Sequence, residues 1–367
     1  MKIMSIVGAR PNFIKMSPVI KEIGKRNLEH ILVHTGQHYD EEMSKIFMDE
    51  LKLSQFENLN VGSGTHGYQT GKMLIELEKV MLRECPDIVL VSGDVNTTLA
   101  GTLAAVKLHI PVAHIEAGLR SFDNRMPEEI NRILTDHCSD FLFCPTETAV
   151  INLKKEGIVD DRIFLVGDTM VDACFQNLEI AKRTSTVFKK YEIKNDYFFA
   201  TVHRPENTDD ETRLKNIVDA FVSMDTQIVF PVHPRTVKKL KEFGFLEKLE
   251  NAKNILMIDP VGYLDSLMLI SKATLILTDS GGIQKEAFIL RVPCVTLRDN
   301  TEWVETVELG GNILVGADKN KILKGVTSMP DNLPKNVKNP FGDGKASERI
   351  CKILESYPER FFEMKER

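Results

Sequence analysis

The stretch Thr274-Leu-Ile-Leu-Thr-Asp-Ser-Gly-Gly-Ile-Gln-Lys-Glu286 decides how the chain is read. Leu275, Ile276 and Leu277 suit a short buried strand, which stops at Thr278 and Asp279, bends through Ser280-Gly281-Gly282 and continues as a helix from Ile283. A helix N-terminus offers N–H groups without intrahelical acceptors and a partial positive charge, and two glycines keep Cβ atoms away from whatever docks there. The stretch therefore reads as an anion site. Glu286 falls one turn into the helix, where a carboxylate can take the two hydroxyls of a ribose beside a bound diphosphate. An ordinary strand-to-helix turn with Ser280 as N-cap has the same local pattern, so the rest of the chain must decide.

Outward from this stretch, apolar runs bounded by turn residues alternate with helical patterns, the mark of parallel sheets covered by helices on both faces. In the first half these runs fall at 3–7, 30–34, 87–91, 112–115, 141–144 and 163–166. A second series falls at 197–202, 227–232, 255–258, 275–278, 294–297 and 313–315. An α/β protein of two doubly wound, Rossmann-like domains is predicted, in keeping with 367 residues. The join is placed in a helix near 171–187, giving domains 1–172 and 173–354, with a C-terminal helix at 355–367 packing back on the first.

Composition excludes several classes. Residues 1–8 lack a cleavage pattern and read as a first strand, so a cytoplasmic protein without membrane contact is expected. With 47 basic and 53 acidic residues the net charge is −6 and no basic run stands out, which argues against nucleic acid. Six cysteines without a CxxC pair lie mostly in apolar runs, as reduced core thiols do. His34 and His38 bracket Thr-Gly-Gln at a strand end instead of sharing a helix face, so no metal site is expected. Gly8 is followed by Ala-Arg-Pro where a dinucleotide fingerprint needs further glycines, and no Walker sequence occurs; NAD and ATP are both disfavoured.

Ligands of open α/β sheets bind beyond the carboxyl ends of the strands, so the residues following each run matter most. There Arg10 and Lys15 bracket Pro11 in what reads as a first helical turn, and two cations so placed suit a phosphate or a leaving diphosphate. Asp94 and Glu116 end two strands separated by one helix and can converge on one ligand, as a proton-removal and proton-return reaction requires. Asp94 is equally well placed to cap the helix opening at Asn96 or Thr97. Glu128, behind Pro127, suits a first helical turn, and Arg132 stands at i+4 as a partner for it. His203 and His233 end two strands of the second series, each close to an arginine (Arg204 and Arg235), which favours an anionic ligand.

Taken together, Gly8-Ala-Arg-Pro-Asn-Phe-Ile-Lys15, Thr35-Gly-Gln-His38, Gly93-Asp94, His114-Ile-Glu-Ala-Gly-Leu-Arg120, Pro127-Glu-Glu-Ile-Asn-Arg132, Val202-His-Arg-Pro-Glu-Asn207, Thr278-Asp-Ser-Gly-Gly-Ile-Gln-Lys-Glu-Ala287 and Arg298-Asp-Asn-Thr-Glu302 resemble the non-hydrolysing UDP-N-acetylglucosamine 2-epimerases. The motifs stand in the family's order over residues 8–302. The resemblance implies the GT-B fold, two domains facing across a cleft. It implies that Ser280, Gly281, Gly282 and Glu286 hold diphosphate and ribose. Arg10, Lys15 and His203 would contact the diphosphate and leaving group, and Asp94, Glu116 and Glu128 would be the acid and base candidates, with Arg132 nearby.

The activity implied is interconversion of UDP-GlcNAc and UDP-ManNAc, by elimination of UDP and re-addition with C2 inverted, without nicotinamide or metal, in a cytoplasmic homodimer that serves polysaccharide biosynthesis. Bacterial members are regulated by their own substrate near residues matching Gln37, His38, Arg204 and His233. Here Pro205 follows Arg204 where a second Arg is frequent, and Asp40 replaces a usual Gln. A hydrolysing 2-epimerase, a GT-B glycosyltransferase and a sugar-nucleotide sensor that has lost its chemistry share the same fold and remain alternatives.

Overall fold

The computed structural model describes residues 1–26, 28–36, 56–194, 196–330, 333 and 337–356, with the backbone alone described at 10, 11 and 56. Gln37, His38 and Asp40 lie outside the described residues, as does the expected terminal helix from residue 357 onward. The chain divides into two compact units, Met1–Ala173 with the segment from Pro340 onward, and Cys174–Asn339.

The first unit carries β1 (Lys2–Val7), β2 (Glu29–His34), β3 (Phe56–Asn58), β4 (Ile88–Ser92), β5 (Val112–Ile115), β6 (Phe141–Cys144) and β7 (Ile163–Leu165), in the order β3-β2-β1-β4-β5-β6-β7. All neighbours pair in parallel. A parallel sheet is covered on both faces, which is why β4 and β5 are buried along their whole length and show no alternation. Ile3, Leu32, Ile88, Leu90 and Phe141 face one core, and Met4, Ile6, Val33, Val89 and Val91 the other. The second unit carries β8 (Tyr197–Thr201), β9 (Gln227–Pro231), β10 (Ile255–Ile258), β11 (Leu275–Thr278), β12 (Cys294–Thr296) and β13 (Asn312–Leu314), in the order β10-β9-β8-β11-β12-β13.

These strands lie within a residue or two of the apolar runs, and β3 is the one the pattern did not disclose. Its three residues, Phe56-Glu-Asn58, contain a single apolar side chain, too little for a periodicity signal. Close packing behind β1 explains Gly8: a Cβ there would lie 1.9 Å from Thr97 Oγ1 and 2.6 Å from Thr35 Oγ1, two hydroxyls that hydrogen-bond each other at 2.8 Å. Pro18, inside the helix Arg10–Ile23, lacks the N–H that would reach the Ile14 carbonyl, and the Ser17 hydroxyl donates to that oxygen instead (3.3 Å). Four cysteines are core residues, but Cys85 is exposed, where the helix His66–Glu84 ends in a left-handed residue.

The return to the first unit comes at Pro340, earlier than the expected boundary at 354, and its helix is Ala346–Glu355. The physical reason is a buried carboxylate. Asp172 accepts hydrogen bonds from Ala346 N–H (3.1 Å), Ser347 N–H (2.9 Å) and the Ser347 hydroxyl (2.6 Å), serving the otherwise unpaired first turn of that helix. Ile350, Cys351 and Leu354 then join Val19, Ile20 and Ile23 in one core, each large side chain contributing about 1.5–3 kcal/mol by burial. Asp172→Ala is expected to lower hydrogen-exchange protection of residues 346–355 by about 1–2 kcal/mol while β4 and β5 keep theirs. Unchanged protection in that helix would show that burial alone holds it.

Candidate active site

In the first sheet the chain reverses its direction of travel between β1 and β4, so the loops after these two strands part and leave room at their carboxyl ends. The helix Arg10–Ile23 leaves from β1 and brings Lys15 onto Glu116, just beyond β5, as an ion pair. Gly93, just beyond β4, has φ +70°, and a Cβ on it would lie 3.3 Å from Asn12 Nδ2, 3.6 Å from Glu116 Oε2 and 3.7 Å from Lys15 Nζ. Three strand ends therefore meet at one point. Burial opposes the charge on Lys15, but Glu116 and Asp94 outweigh it and hold its pKa above the usual lysine value. Glu116 itself sits at φ +73°, a conformation costing a non-glycine residue about 1–3 kcal/mol. Its N–H and that of Ala117 both donate to the Phe143 carbonyl (3.1 Å each), which holds the turn.

Asp94 is not a helix cap. The helix Asn96–Lys107 has Val95 at the cap position with no side-chain bond, and Asp94 instead pairs with Arg132. Arg132 projects from the helix Pro127–Cys138, and its other terminal nitrogen donates to Glu129 (2.9 Å). The expected Glu128–Arg132 pair is therefore not formed, because Asp94 and Glu129 share the guanidinium. Glu128 is half-buried and has no ion pair among the described residues. Glu129 is the buried member of the two, and also accepts from Ser121 N–H and Phe122 N–H (2.9 Å each). The sequence offers Glu128 and Glu129 as a pair behind Pro127; adjacent residues sit about 100° apart on a helix, and Arg132 is within helical reach of both, at i+4 and i+3, so the pattern does not set which one turns inward.

The second sheet reverses between β8 and β11. Asp279, fully buried after β11, accepts from His203 N–H (3.1 Å to each oxygen), Arg204 N–H (3.0 Å) and Asn207 Nδ2 (3.1 Å), and so ties down the loop after β8. His203 Nδ1 lies 3.3 Å from Asp279 Oδ1. Burial lowers the His203 pKa, and Arg204 and His233 add to that against the pull of Asp279. The helix after β11 is Gly281–Ile289, beginning two residues earlier than expected, and its first backbone bond is Gln284 N–H to the Ser280 carbonyl (3.1 Å). Gly281, Gly282 and Ile283 are thus its first-turn donors.

Ser280 holds the N-cap position, yet its hydroxyl makes no cap bond. The ordinary serine-capped turn is therefore not what forms. A Cβ on Gly282 would meet only Ser280 Oγ at 3.9 Å, so the bare backbone there faces open space. A Cβ on Gly281 would lie 3.2 Å from Glu302 Oε2 and 3.6 Å from Trp303 Nε1, and Arg298 grips Glu302 through two nitrogens (2.9 and 3.0 Å). Glu286 is buried one turn along the same helix. His233 is exposed and caps the helix Pro234–Glu242 by accepting from Arg235 N–H (3.2 Å), a local structural task. The side chain of Arg10 lies outside the description.

Residues 21–355 match the family model described as UDP-N-acetylglucosamine 2-epimerase. The chain belongs to that family. It is 57% identical over 362 residues to the UDP-N-acetylglucosamine 2-epimerase of Methanocaldococcus jannaschii, covering 96% of this chain and 99% of the relative. It is 49% identical over 364 residues to the UDP-2,3-diacetamido-2,3-dideoxy-D-glucuronate 2-epimerase of Pseudomonas aeruginosa, covering 96% and 99%. The crystal structure of the M. jannaschii UDP-GlcNAc 2-epimerase in complex with UDP-GlcNAc and UDP superposes with a TM-score of 0.83 at 57% identity, covering 97% of this chain and 99% of that one. The two doubly wound units of this epimerase-family chain are those of the GT-B fold class.

Glu129 gives the site a pH signature. Burial opposes its charge, but the N–H groups of Ser121 and Phe122 together with Arg132 prevail and hold its pKa below the usual glutamate value. A depressed carboxylate stabilises the fold above its unfolded value of about 4.3, and that contribution is lost as pH falls through the folded value. Glu129→Gln should therefore be less stable than wild type by about 2 kcal/mol at pH 7, and the gap should close toward pH 3. Thermal unfolding across pH 3–7 measures it; a gap as wide at pH 3 as at pH 7 would refute the assignment.

Proposed function

We propose that the chain is a non-hydrolysing UDP-N-acetylglucosamine 2-epimerase, interconverting UDP-GlcNAc and UDP-ManNAc. The observation that carries this reading is the convergence of Lys15, Glu116 and the Gly93-Asp94 turn at three neighbouring strand ends. Membership of the family and likeness to a relative crystallised with UDP-GlcNAc and UDP support it. The relative named for a diacetamido-glucuronate sugar makes that nucleotide sugar the second substrate to try.

The chemistry explains why a base and a cation belong together. The C2 proton is not next to a carbonyl, so a carboxylate alone removes it too slowly. As the anomeric C–O bond breaks and its electron pair leaves on the diphosphate, C1 gains oxocarbenium character and the neighbouring C2–H becomes acidic. A carboxylate among Asp94, Glu116 and Glu128 takes that proton, giving the C1=C2 glycal and UDP. Return of a proton to the opposite face of C2, with UDP adding back to C1, completes the inversion.

Lys15, Arg10 and His203 stabilise the departing diphosphate, and Ser280, Gly281, Gly282 and Glu286 hold UDP. Lys15 also keeps Glu116 from folding away, and Arg132 does the same for Asp94. On this reading the enzyme is a cytoplasmic homodimer that needs no added cofactor and feeds polysaccharide biosynthesis. A hydrolase would release free UDP, a transferase would leave C2 untouched, and a sensor would give no turnover.

Two measurements test the reading. With a bare backbone at Gly282 facing the diphosphate, Gly282→Val should weaken UDP binding at least tenfold, about 1.4 kcal/mol, in a folded protein; calorimetry returning wild-type affinity would reject the anion site. In heavy water, UDP-GlcNAc should yield UDP-ManNAc carrying deuterium at C2, with most UDP still attached to sugar. Amide variants of Asp94, Glu116 and Glu128 should slow that exchange by about 100-fold or more wherever the residue carries a proton. Protium retained at C2 of the epimerised sugar would sink the elimination route.

A further inference from the structure

Behind the acid–base groups lies a buried chain of charges that the reaction itself does not use. His114, in β5, is fully buried, and Nε2 lies 2.8 Å from the Gly93 carbonyl oxygen while Nδ1 lies 2.7 Å from Asp136 Oδ1. Asp136, equally buried on the helix Pro127–Cys138, uses its second oxygen to accept from Gly118 N–H (3.1 Å) and Arg120 Nη1 (2.7 Å). Arg120 in turn forks onto Glu156 with two bonds of 2.7 Å, and its Nη1 also donates to its own neighbour's carbonyl at Leu119 (2.7 Å). Glu156 further meets the half-exposed His137 at 3.3 Å.

The chain touches every segment that carries a candidate acid or base. Gly93 precedes Asp94, His114 and Gly118 bracket the left-handed Glu116, and Asp136 sits one turn beyond Arg132 on the helix that also bears Glu128. We propose that His114, paired with Asp136, is a positioning residue that sets the mutual geometry of Asp94, Glu116 and Glu128, acting as a ring protonated at both nitrogens. The inference rests on the epimerase reading for its catalytic part only.

The double protonation follows from what the ring faces. A carbonyl oxygen can only accept, and so can a carboxylate whose other oxygen already takes two donors, so both ring nitrogens must donate. Asp136 and the part-exposed Glu156 then balance His114 and Arg120, and a largely buried set with no net charge is the arrangement that costs least to desolvate. Burial opposes the charge on Asp136, and His114 and Arg120 overcome it, so its pKa falls below the usual aspartate value. A pair that only supported the fold would leave turnover intact in any variant that folds. A pair that sets geometry would not, since a misplacement of about 1 Å costs on the order of 100-fold in rate.

The test uses the full chain. Histidine-selective 15N NMR of the wild type should show two ring N–H protons for His114, identified by their absence in His114→Gln, and Asp136→Asn should lose the Nδ1 proton. In kinetics on UDP-GlcNAc, His114→Ala and Asp136→Asn should lower kcat about 100-fold while the Kd for UDP stays within about threefold, because Gly281–Glu286 belong to the other unit. His114→Gln, whose amide can still donate to the Gly93 carbonyl, should recover part of the loss. Folded variants with kcat within threefold of wild type, or a single ring N–H proton in the wild type, would overturn the proposal; if His114→Ala does not fold, the nearly isosteric Asp136→Asn decides. A wild type that leaves UDP-GlcNAc unchanged would sink the functional reading instead, and the ring-proton count would still judge His114.

Discussion

A parallel strand cannot turn back on its neighbour; it must cross over through a helix, and where successive crossovers change direction the two adjoining loops separate. Each unit of this chain has one such reversal, between β1 and β4 and between β8 and β11. The groups gathered in the first unit leave β1, β4 and β5, and those in the second leave β8, β11 and β12. Strand order thus comes before side-chain chemistry: it creates a place where unserved backbone groups and polar side chains can face a ligand without a helix packed over them.

What fills these places is charge held in alternation. Lys15 meets Glu116, Arg132 is shared by Asp94 and Glu129, and Arg298 grips Glu302. Buried ion pairs contribute little net stability, because desolvation consumes most of the Coulombic gain, whereas removing one partner costs several kcal/mol. Their use here is geometric. A carboxylate pinned by a guanidinium or ammonium keeps one position, which is what a proton acceptor requires. The strained φ of Glu116 belongs to the same pattern, a local cost met by the bonds of the surrounding turn to Phe143.

The second unit reaches its geometry differently. Its central carboxylate, Asp279, ties the loop after β8 to the end of β11: it collects the N–H groups of His203 and Arg204 and the Asn207 amide, and lies 3.3 Å from the His203 ring. The serine before Gly281 keeps its hydroxyl out of the cap, so the helix terminus stays open at its first three donors. The one aromatic indole of the chain, Trp303, stands beside that terminus with Lys285 over its ring at 4.0 Å.

Read alone, the sequence determined the fold class and nearly every strand, since short continuous apolar runs that alternate with helical patterns suit the interior of a parallel sheet covered by helices. It also determined that Asp94, Glu116, His203 and the Ser280-Gly281-Gly282 turn stand at strand ends and that Lys15 follows β1 on the next helix, because a residue's place along a strand or helix is a local property. Whether Glu128 or Glu129 turns inward, that Asp94 meets Arg132 instead of capping its helix, that residues from Pro340 onward rejoin the first unit through Asp172, and that His114 reaches Asp136 were decided only by the tertiary structure. Each of these depends on helix phase or on a partner distant in the chain, and periodicity carries no information about which of two polar neighbours a remote partner will claim.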